Sequence, residues 1–475
     1  MTGTAPAPLD RAAFAADVTA VPAADTGAFA LNAYNQLAAF SARQDYDSMA
    51  SLVEILPEQW IADAMRPTWL LAGAHAVMHS TNPRMARHRA LIDRFSTACV
   101  EPYLQHNPRL AMRRRVRPRL AVGFFGSILR NPLYANRGIR AVIAAMDRKR
   151  FEVHALALGS DDLPSAASLG ADAIHVLGDE AAAAHHLRAL SLDAVVYLDG
   201  ITPSVPWRLL ARRIAHRQVC WFHPHLTFGA IGMDGQIADA GLIPAEQRQW
   251  YAEPILDVPA RAHCYELMPR YAACEAPWRR SGHITFGSFN RLSKISAVTA
   301  RAWAEILHRV PTARLIILND AVGRPDERGP LERRLADGGV PLDRVAFDGG
   351  QEDAAFLARY GDVDLVLDTV PFAGGLTSFD ALCQGTPILT LEGLELVERQ
   401  TASLLRSIDL EQLITPSVEA YVARAVALAE APDQLERLRQ GLRERVAVSP
   451  ICDMERLARD MGEILLALVG GASRP

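Results

Sequence analysis

The chain is poor in the features that announce a stapled, secreted or membrane-spanning protein. Its six cysteines, Cys99, Cys220, Cys264, Cys274, Cys383 and Cys452, include no C-x-x-C pair, which argues against a zinc knuckle or a disulfide framework and fits a reducing cytoplasm. No run of about 18 uncharged apolar residues occurs, so no membrane span is expected. The N-terminus, MTGTAPAPLDRAAFAADVTA, carries an acidic residue and no long apolar core, unlike a secretory signal. Charge of one sign is missing as well. Lys+Arg number 50 against 54 Asp+Glu, a net charge of −4, so nothing draws the chain as a whole to nucleic acid or to an anionic membrane. What is present is apolar bulk: 50% hydrophobic and 22% charged residues over 475 positions, enough for a large core. Since single cores stop growing near about 250–300 residues, two or three domains are expected.

Residues 1 to about 112 read as helical, with Ala30, Tyr34, Leu37 and Ala38, and then Met49, Leu52, Val53 and Leu56, at helical spacing. They form either an acceptor-recognition module or a buttress for the next domain, and no repeat of about 34 residues marks a tetratricopeptide array. The basic stretch MRRRVRPRL, with Arg113, Arg114, Arg115, Arg117 and Arg119, reads as an interdomain linker with solvated charge. From Leu120 the texture changes to alternating strands and helices: LAVGFFG, a helix near Ile139 to Met146, FEVHALALG, AIHVLG, a helix around Ala181 to Leu190, and DAVVYLDG. A second such region runs through ITFGSFN, ARLIILND, RVAFDGG, DLVLDTVPF and PILTL. The expected fold is α/β, two Rossmann-like domains in series joined near residues 255–282, with the default ligand site in the cleft between them.

The stretch Asp364–Gly385, DLVLDTVPFAGGLTSFDALCQG, reads as a buried strand, a glycine-containing turn and a helix start. Leu365, Val366, Leu367 and Val370 make the strand, Pro371 and Gly374–Gly375 break it, and Thr377 or Ser378 is positioned to cap the helix. Backbone N–H groups and the helix dipole there form a cradle for phosphate oxygens. ITFGSFNRLSKIS places Phe289, Asn290 and Lys294 beyond the carboxyl end of another strand of the same region. Lys294, a compact cation, can thus approach a diphosphate from one side while the Gly374–Thr377 turn holds it from the other.

FNRLSKI, AWAEILHRVPTARLIIL, LDTVPFAGGLTSFDALCQGTPILTLEG, ASLL and LRERV, together with the upstream blocks PRLAVGFFGS, DAVVYLDGIT and RQVCWFHPHLTFGAIGMDGQIAD, resemble the catalytic region of the O-GlcNAc transferase family over roughly residues 118–470. The resemblance implies a GT-B fold: an all-α segment over 1–115, an acceptor-side Rossmann-like domain over 116–265 and a nucleotide-sugar-binding domain over 266–475. It implies an inverting glycosyltransferase with a UDP-sugar donor, a hexose or N-acetylhexosamine to transfer and a polypeptide side chain as acceptor. A small-molecule or lipid-linked acceptor, or a catalytically silent binding protein, are the alternatives. By the same resemblance Lys294 neutralises the departing diphosphate, with Asn290, Gly374, Gly375, Leu376 and Thr377 around it. Asp380 serves the ribose or braces the loop, Arg359 lines the uridine pocket, and no metal or other cofactor is required. The Asp362-Val363-Asp364 triplet is read as a coincidental likeness to a metal motif.

Departures from the family pattern are equally visible. The loop after the first strand, GSILRNPLYANRG, lacks the family's histidine, leaving Asn136 and Arg137 as acceptor-side candidates. The diphosphate turn has Gly375 and Leu376 where the family has polar side chains, and the uracil-side histidine falls near Phe356. His223 and His225 in WFHPHLTFG are the candidate replacements for acid–base work, since an imidazole near neutral pKa can take a hydroxyl proton.

Overall fold

The computed structural model describes every residue except 1–8, 23–24, 43, 81–83, 113–114, 131–134, 160–163, 223–224, 226, 273–274, 350–352 and 471–475. Of Asn136 only the backbone is described.

Two all-parallel sheets form the body of the molecule. The first contains β1 (Leu120–Phe125), β2 (Phe151–Leu158), β3 (Ala173–Leu177), β4 (Ala194–Tyr197), β5 (Arg217–Cys220), β6 (Gly235–Ala238) and β7 (Ile255–Asp257), in the order β3-β2-β1-β4-β5-β6-β7. The second contains β8 (Thr285–Ser288), β9 (Arg314–Leu318), β10 (Val345–Asp348), β11 (Leu365–Leu367), β12 (Ile388–Leu391) and β13 (Ile414–Thr415), in the order β10-β9-β8-β11-β12-β13. Helices cover both faces, which is why β1, β4 and β8 are buried at every position and β1 and β4 read as apolar runs rather than alternating ones. Strand order reverses at β1/β4 in one sheet and at β8/β11 in the other. Ligands of open α/β sheets bind at such switch points, outside the carboxyl ends of the strands.

Two details of the second sheet differ from the sequence reading. β11 ends at Leu367, so Val370 lies beyond the strand, in the turn. The helix Leu376–Gln384 takes Gly375 as its N-cap, with no side-chain cap; Thr377 and Ser378 fall inside its first turn, because their hydroxyls bond to Asn290 Oδ1 (2.7 Å) and Thr401 Oγ1 (2.8 Å) instead.

The N-terminal segment is all-helical, with helices Arg11–Ala20, Thr26–Ala42, Tyr46–Ile55, Arg66–Val77, Met85–Phe95 and Glu101–His106. Asp10 caps the first, accepting from the amides of Ala12 and Ala13, and Asp45 caps the third through Ser48. The buried stripe of the second runs through Ala30, Ala33, Leu37 and Phe40, one step off the expected face, which leaves Ala38 exposed. The arginine-rich linker is tied down. Arg115 and Arg117 donate to the carbonyls of Ala189 and Leu190 at the end of the helix Glu180–Leu190, where cationic side chains meet the negative end of the helix dipole.

Both ends of the chain bridge the lobes. The helical segment packs on the first lobe through Ser96, which accepts from Ala230 N at 3.1 Å, and through Phe95 and Tyr103 against Trp207. It reaches the second lobe through buried Arg84, which pairs with Glu395 (2.9 Å) and Glu398 (2.5 Å). The last helix, Met454–Gly470, leaves the second lobe and returns to the first, where Arg217 donates to Leu468 O at 3.0 Å. No helix among the described residues is long and apolar enough to cross a membrane.

Candidate functional site

The β8/β11 switch point is organised around Asp368, one residue past the end of β11 and fully buried. Its Oδ1 accepts from the amides of Thr369 (2.9 Å) and Gly374 (2.7 Å) and from Asn290 Nδ2 (3.2 Å), while Oδ2 accepts from Thr390 Oγ1 (2.8 Å). Asn290 in turn accepts from Thr377 Oγ1. The Gly374 amide and the Asn290 side chain are therefore committed to shaping the turn, whereas the amides of Leu376, Thr377 and Ser378 have no acceptor among the described residues. Three such N–H groups at the start of a helix are an anion-binding arrangement. The missing side-chain cap leaves that position open.

Lys294 faces this helix start. Its Nζ donates to Ala373 O at 2.8 Å and lies 4.0 Å from the centroid of the Phe372 ring. Burial, reinforced by the nearby Arg291 charge and opposed by Asp368, lowers its pKa to about 7. A buried ammonium held this close to neutrality is poised to gain an anionic partner. Together Lys294, Asn290, Gly375, Leu376 and Thr377 line a cavity of about 150 Å³, which Tyr265, His263 and Gln400 complete. Gln400 Nε2 is buried there without an acceptor, adding a neutral donor. Burial lowers the His263 pKa to about 3, so its ring is neutral.

A second cavity of about 760 Å³ adjoins the first and shares His225, Arg291 and Phe372 with it. Its floor is the β1/β4 switch point of the first lobe, from Phe125 to Ile128 and from Tyr197 to Ser204. Asp199 lines it, accepting from the amides of Ser127 (2.6 Å) and Ile128 (3.3 Å), and burial raises the carboxyl pKa above its ordinary value. His75, Met78 and His79 of the helical segment form the opposite wall.

The remaining sequence-predicted residues stand elsewhere. Arg359 is held between Asp348 (2.9 Å) and Asp362 (2.5 Å) and does not line either cavity. Asp380 is buried within its helix and does not line either cavity. Arg137 lies against the Met268 sulfur, away from both cavities. His223 is outside the described residues, as is the Asn136 side chain. Phe356 packs edge-on against Phe289 at 5.7 Å. In the Asp362-Val363-Asp364 triplet, Asp364 accepts from the amides of Trp278 and Thr285 and is engaged in the fold; no metal-holding cluster occurs among the described residues.

Comparison with known proteins agrees with this geometry. Residues 279–461 match the sequence profile described as Glycosyl transferase family 41. The matched region contains Asn290, Lys294, Asp368 and the whole Gly374–Ser378 turn. Curated relatives include the probable UDP-N-acetylglucosamine–peptide N-acetylglucosaminyltransferase SPINDLY of Solanum lycopersicum, 32% identical over 60% of this chain and 31% of its own length. The corresponding SEC protein of Arabidopsis thaliana is 25% identical over 72% of this chain and 36% of its own length. The chain thus spans about a third of the curated relatives it matches. Among solved structures, an O-GlcNAc transferase variant from Thermobaculum terrenum superposes with a TM-score of 0.78 at 24% identity, covering 93% of this chain and 85% of the other. The GT-B fold and the family resemblance read from the sequence are both confirmed.

Sequence reasoning missed Asp368, Asp199, Gln400 and the two helical histidines. Asp368 and Asp199 each stand one or two residues past an apolar strand, in VLDT and VYLDG, and that position was the available signal. His75 and His79 are spaced i, i+4 in LAGAHAVMHS, one face of an otherwise apolar helix end. Gln400 gives no local signal, since its place opposite Gly375 is a product of the tertiary fold.

Proposed function

We propose that the protein is an inverting glycosyltransferase that moves a sugar from a UDP-sugar to a polypeptide side chain. The observation that carries this reading is a buried lysine and an uncapped helix start, whose Leu376 and Thr377 line the same small cavity, adjoining a larger chamber between the lobes. The donor's diphosphate occupies the small cavity and the acceptor side chain enters from the chamber. The acceptor oxygen or nitrogen attacks the anomeric carbon from the side opposite the diphosphate. A bond forms there as the bond from that carbon to the diphosphate oxygen breaks, and the electron pair leaves with the nucleotide diphosphate.

Charge developing on the leaving group meets the Lys294 ammonium and the amides of Leu376, Thr377 and Ser378, which are already oriented and cost no reorganisation. These groups provide the positive charge, so the reaction needs no metal ion. The acceptor proton passes to a base of the chamber, a reading supported by His225 and Asp199 being among its lining residues. The apolar wall of Phe125, Met78 and Phe372 excludes water from the reacting centre. Incubation of the protein with UDP-GlcNAc, UDP-glucose and a degenerate peptide library, in the presence of EDTA, tests the reading: sugar-modified peptide detected by mass spectrometry is expected. UDP-sugar binding without any modified peptide would overturn it.

A further inference from the structure

The arginine-rich linker keeps most of its hydrogen-bonding capacity unused. Arg115, Arg117 and Arg119 line one cavity of about 490 Å³, which Glu152, His154 and Leu190 also border. Each donates through one terminal nitrogen to a backbone carbonyl, that of Ala189, Leu190 and Arg148 in turn. None pairs with a carboxylate among the described residues. A guanidinium carries five N–H donors in a planar fork, so the carbonyls hold the three groups in place and leave the rest of each fork for another acceptor. Among the described residues lining the cavity, Glu152 alone is acidic, and cations outnumber it.

A buried imidazole adds a second kind of contact. His154 is only 6% exposed, and its Nε2 is buried without a hydrogen-bond partner; Glu152 Oε1 stands 3.5 Å away without forming a hydrogen bond. Buried polar atoms are paired in the great majority of cases, and exceptions call for a ligand or a function. The other nitrogen, Nδ1, meets His175 Nε2 at 3.0 Å, and His175 Nδ1 meets His186 Nε2 at 3.0 Å. Because His175 turns a different nitrogen to each neighbour, the three rings do not converge on one point as metal ligands would. They form a hydrogen-bonded row that ends at exposed His186. Burial lowers the pKa of His154, and that of His175 to about 4, so these rings are neutral. When every ring donates toward the cavity, the His154 hydrogen sits on Nε2 and is available to an anion.

The cavity is remote from the cleft. Arg119 directly precedes β1, and Glu152 and His154 stand in the first half of β2. The six residues of β1, rising about 3.3 Å each, separate it by about 20 Å from the chamber floor that begins at Phe125. Between Arg115 and Arg117 the Val116 side chain is fully exposed, and Pro118 and Ala189 add further apolar lining. An apolar surface set among cations suits a peptide, whose carboxylates come with aliphatic stems and backbone, better than a free inorganic anion. We infer that this cavity is a docking site for an acidic polypeptide segment, whose carboxylates bind the forks of Arg115, Arg117 and Arg119 and the Nε2 hydrogen of His154. The site does not depend on the transfer reaction proposed above.

Anisotropy of a fluorescein-labelled, glutamate-rich peptide containing valine, titrated with the full chain at low ionic strength, should show saturable binding that weakens as salt rises. Arg115→Gln/Arg117→Gln/Arg119→Gln should weaken it at least about tenfold, because charge-assisted, bidentate contacts are lost. Lysine at the same three positions keeps the charge without the fork and should give an intermediate affinity. His154→Phe, which keeps a ring and removes both nitrogens, should weaken binding by a smaller factor. Glu152→Gln removes the opposing charge and should tighten binding by about threefold, which keeps the test decisive where the triple glutamine variant fails to fold. The assignment is overturned if the parent shows no saturable binding, if the folded triple glutamine variant binds within twofold of the parent, or if Glu152→Gln binds no more tightly. Displacement of the peptide by millimolar inorganic phosphate would show a lone oxyanion to be the ligand, and tighter binding of a single-stranded RNA of equal length would show a nucleic-acid surface; either result also overturns it.

Discussion

At the scale of single residues, Lys294 concentrates the chemistry. Its folded pKa near 7 lies below the ordinary value of about 10.4. Between those two pH values the unfolded chain holds a proton that the native state lacks, so this group's contribution to stability improves as pH rises through the window and is least favourable below about pH 7. A bound diphosphate reverses the preference by stabilising the ammonium. UDP-GlcNAc binding above pH 7 must then take up a proton, and affinity should fall with rising pH by up to about tenfold per unit. Calorimetry in buffers of different ionisation enthalpy reads the proton uptake directly, and Lys294→Met should flatten the pH dependence. An unchanged slope in that variant would show that another group carries it. Transfer itself should drop by about 3 kcal/mol of barrier in Lys294→Ala, the scale on which removing one preorganised electrostatic partner acts; single-turnover rates with saturating donor measure this.

At the scale of elements, the turn between β11 and the helix Leu376–Gln384 owes its shape to one carboxylate. Asp368 gathers four donors from three segments, and a Cβ on Gly374 would overlap Ser378 Oγ, so the chain is held in a conformation that leaves the amides of Leu376, Thr377 and Ser378 without acceptors among the described residues. Asp368→Ala orphans the Gly374 amide and the Asn290 side chain in a buried site. Each costs about 1–3 kcal/mol, and both the melting temperature and UDP-GlcNAc affinity should fall together. Asp368→Asn keeps Oδ1, and Thr390 Oγ1 can turn to accept from the new amide, so its loss should be the smaller of the two. Equal losses would mean that the charge, rather than the hydrogen-bond geometry, shapes the turn.

The same element shows what a sequence discloses. Strand, break and helix start were legible because Leu365–Leu367, Pro371 and the paired glycines are local signals. The identity of the cap was not, because Thr377 and Ser378 are drawn off by Asn290 and Thr401, residues far away along the chain. Lys294 was legible through its place past a strand end. His75 and His79 were not read as site residues, since a helical segment gives no sign of which lobe or cavity its end will reach.

At the scale of the whole molecule, that reach depends on how the helical segment is fastened across the cleft. Arg84 lies just beyond the histidine-bearing helix end and pairs with Glu395 and Glu398, whose side chains also form the capping box of the helix Leu396–Arg406. The amide of Met85 adds a bond to Glu395 at 3.0 Å. All three charged side chains are largely removed from water. Replacing Arg84 by Ala leaves two close carboxylates without their cation, and breaking a buried pair in this way costs about 3–5 kcal/mol. The loss should appear in chemical denaturation. Because the same contact sets the distance between the helical wall and Phe372, peptide transfer should fall more than UDP-GlcNAc binding. Removing both carboxylates as well, in Arg84→Ala/Glu395→Ala/Glu398→Ala, relieves the uncompensated charge and should return part of the stability, though not the transfer. If the triple variant regained neither, the network would be acting through packing alone and its role as an electrostatic clasp between helical segment and second lobe would fail.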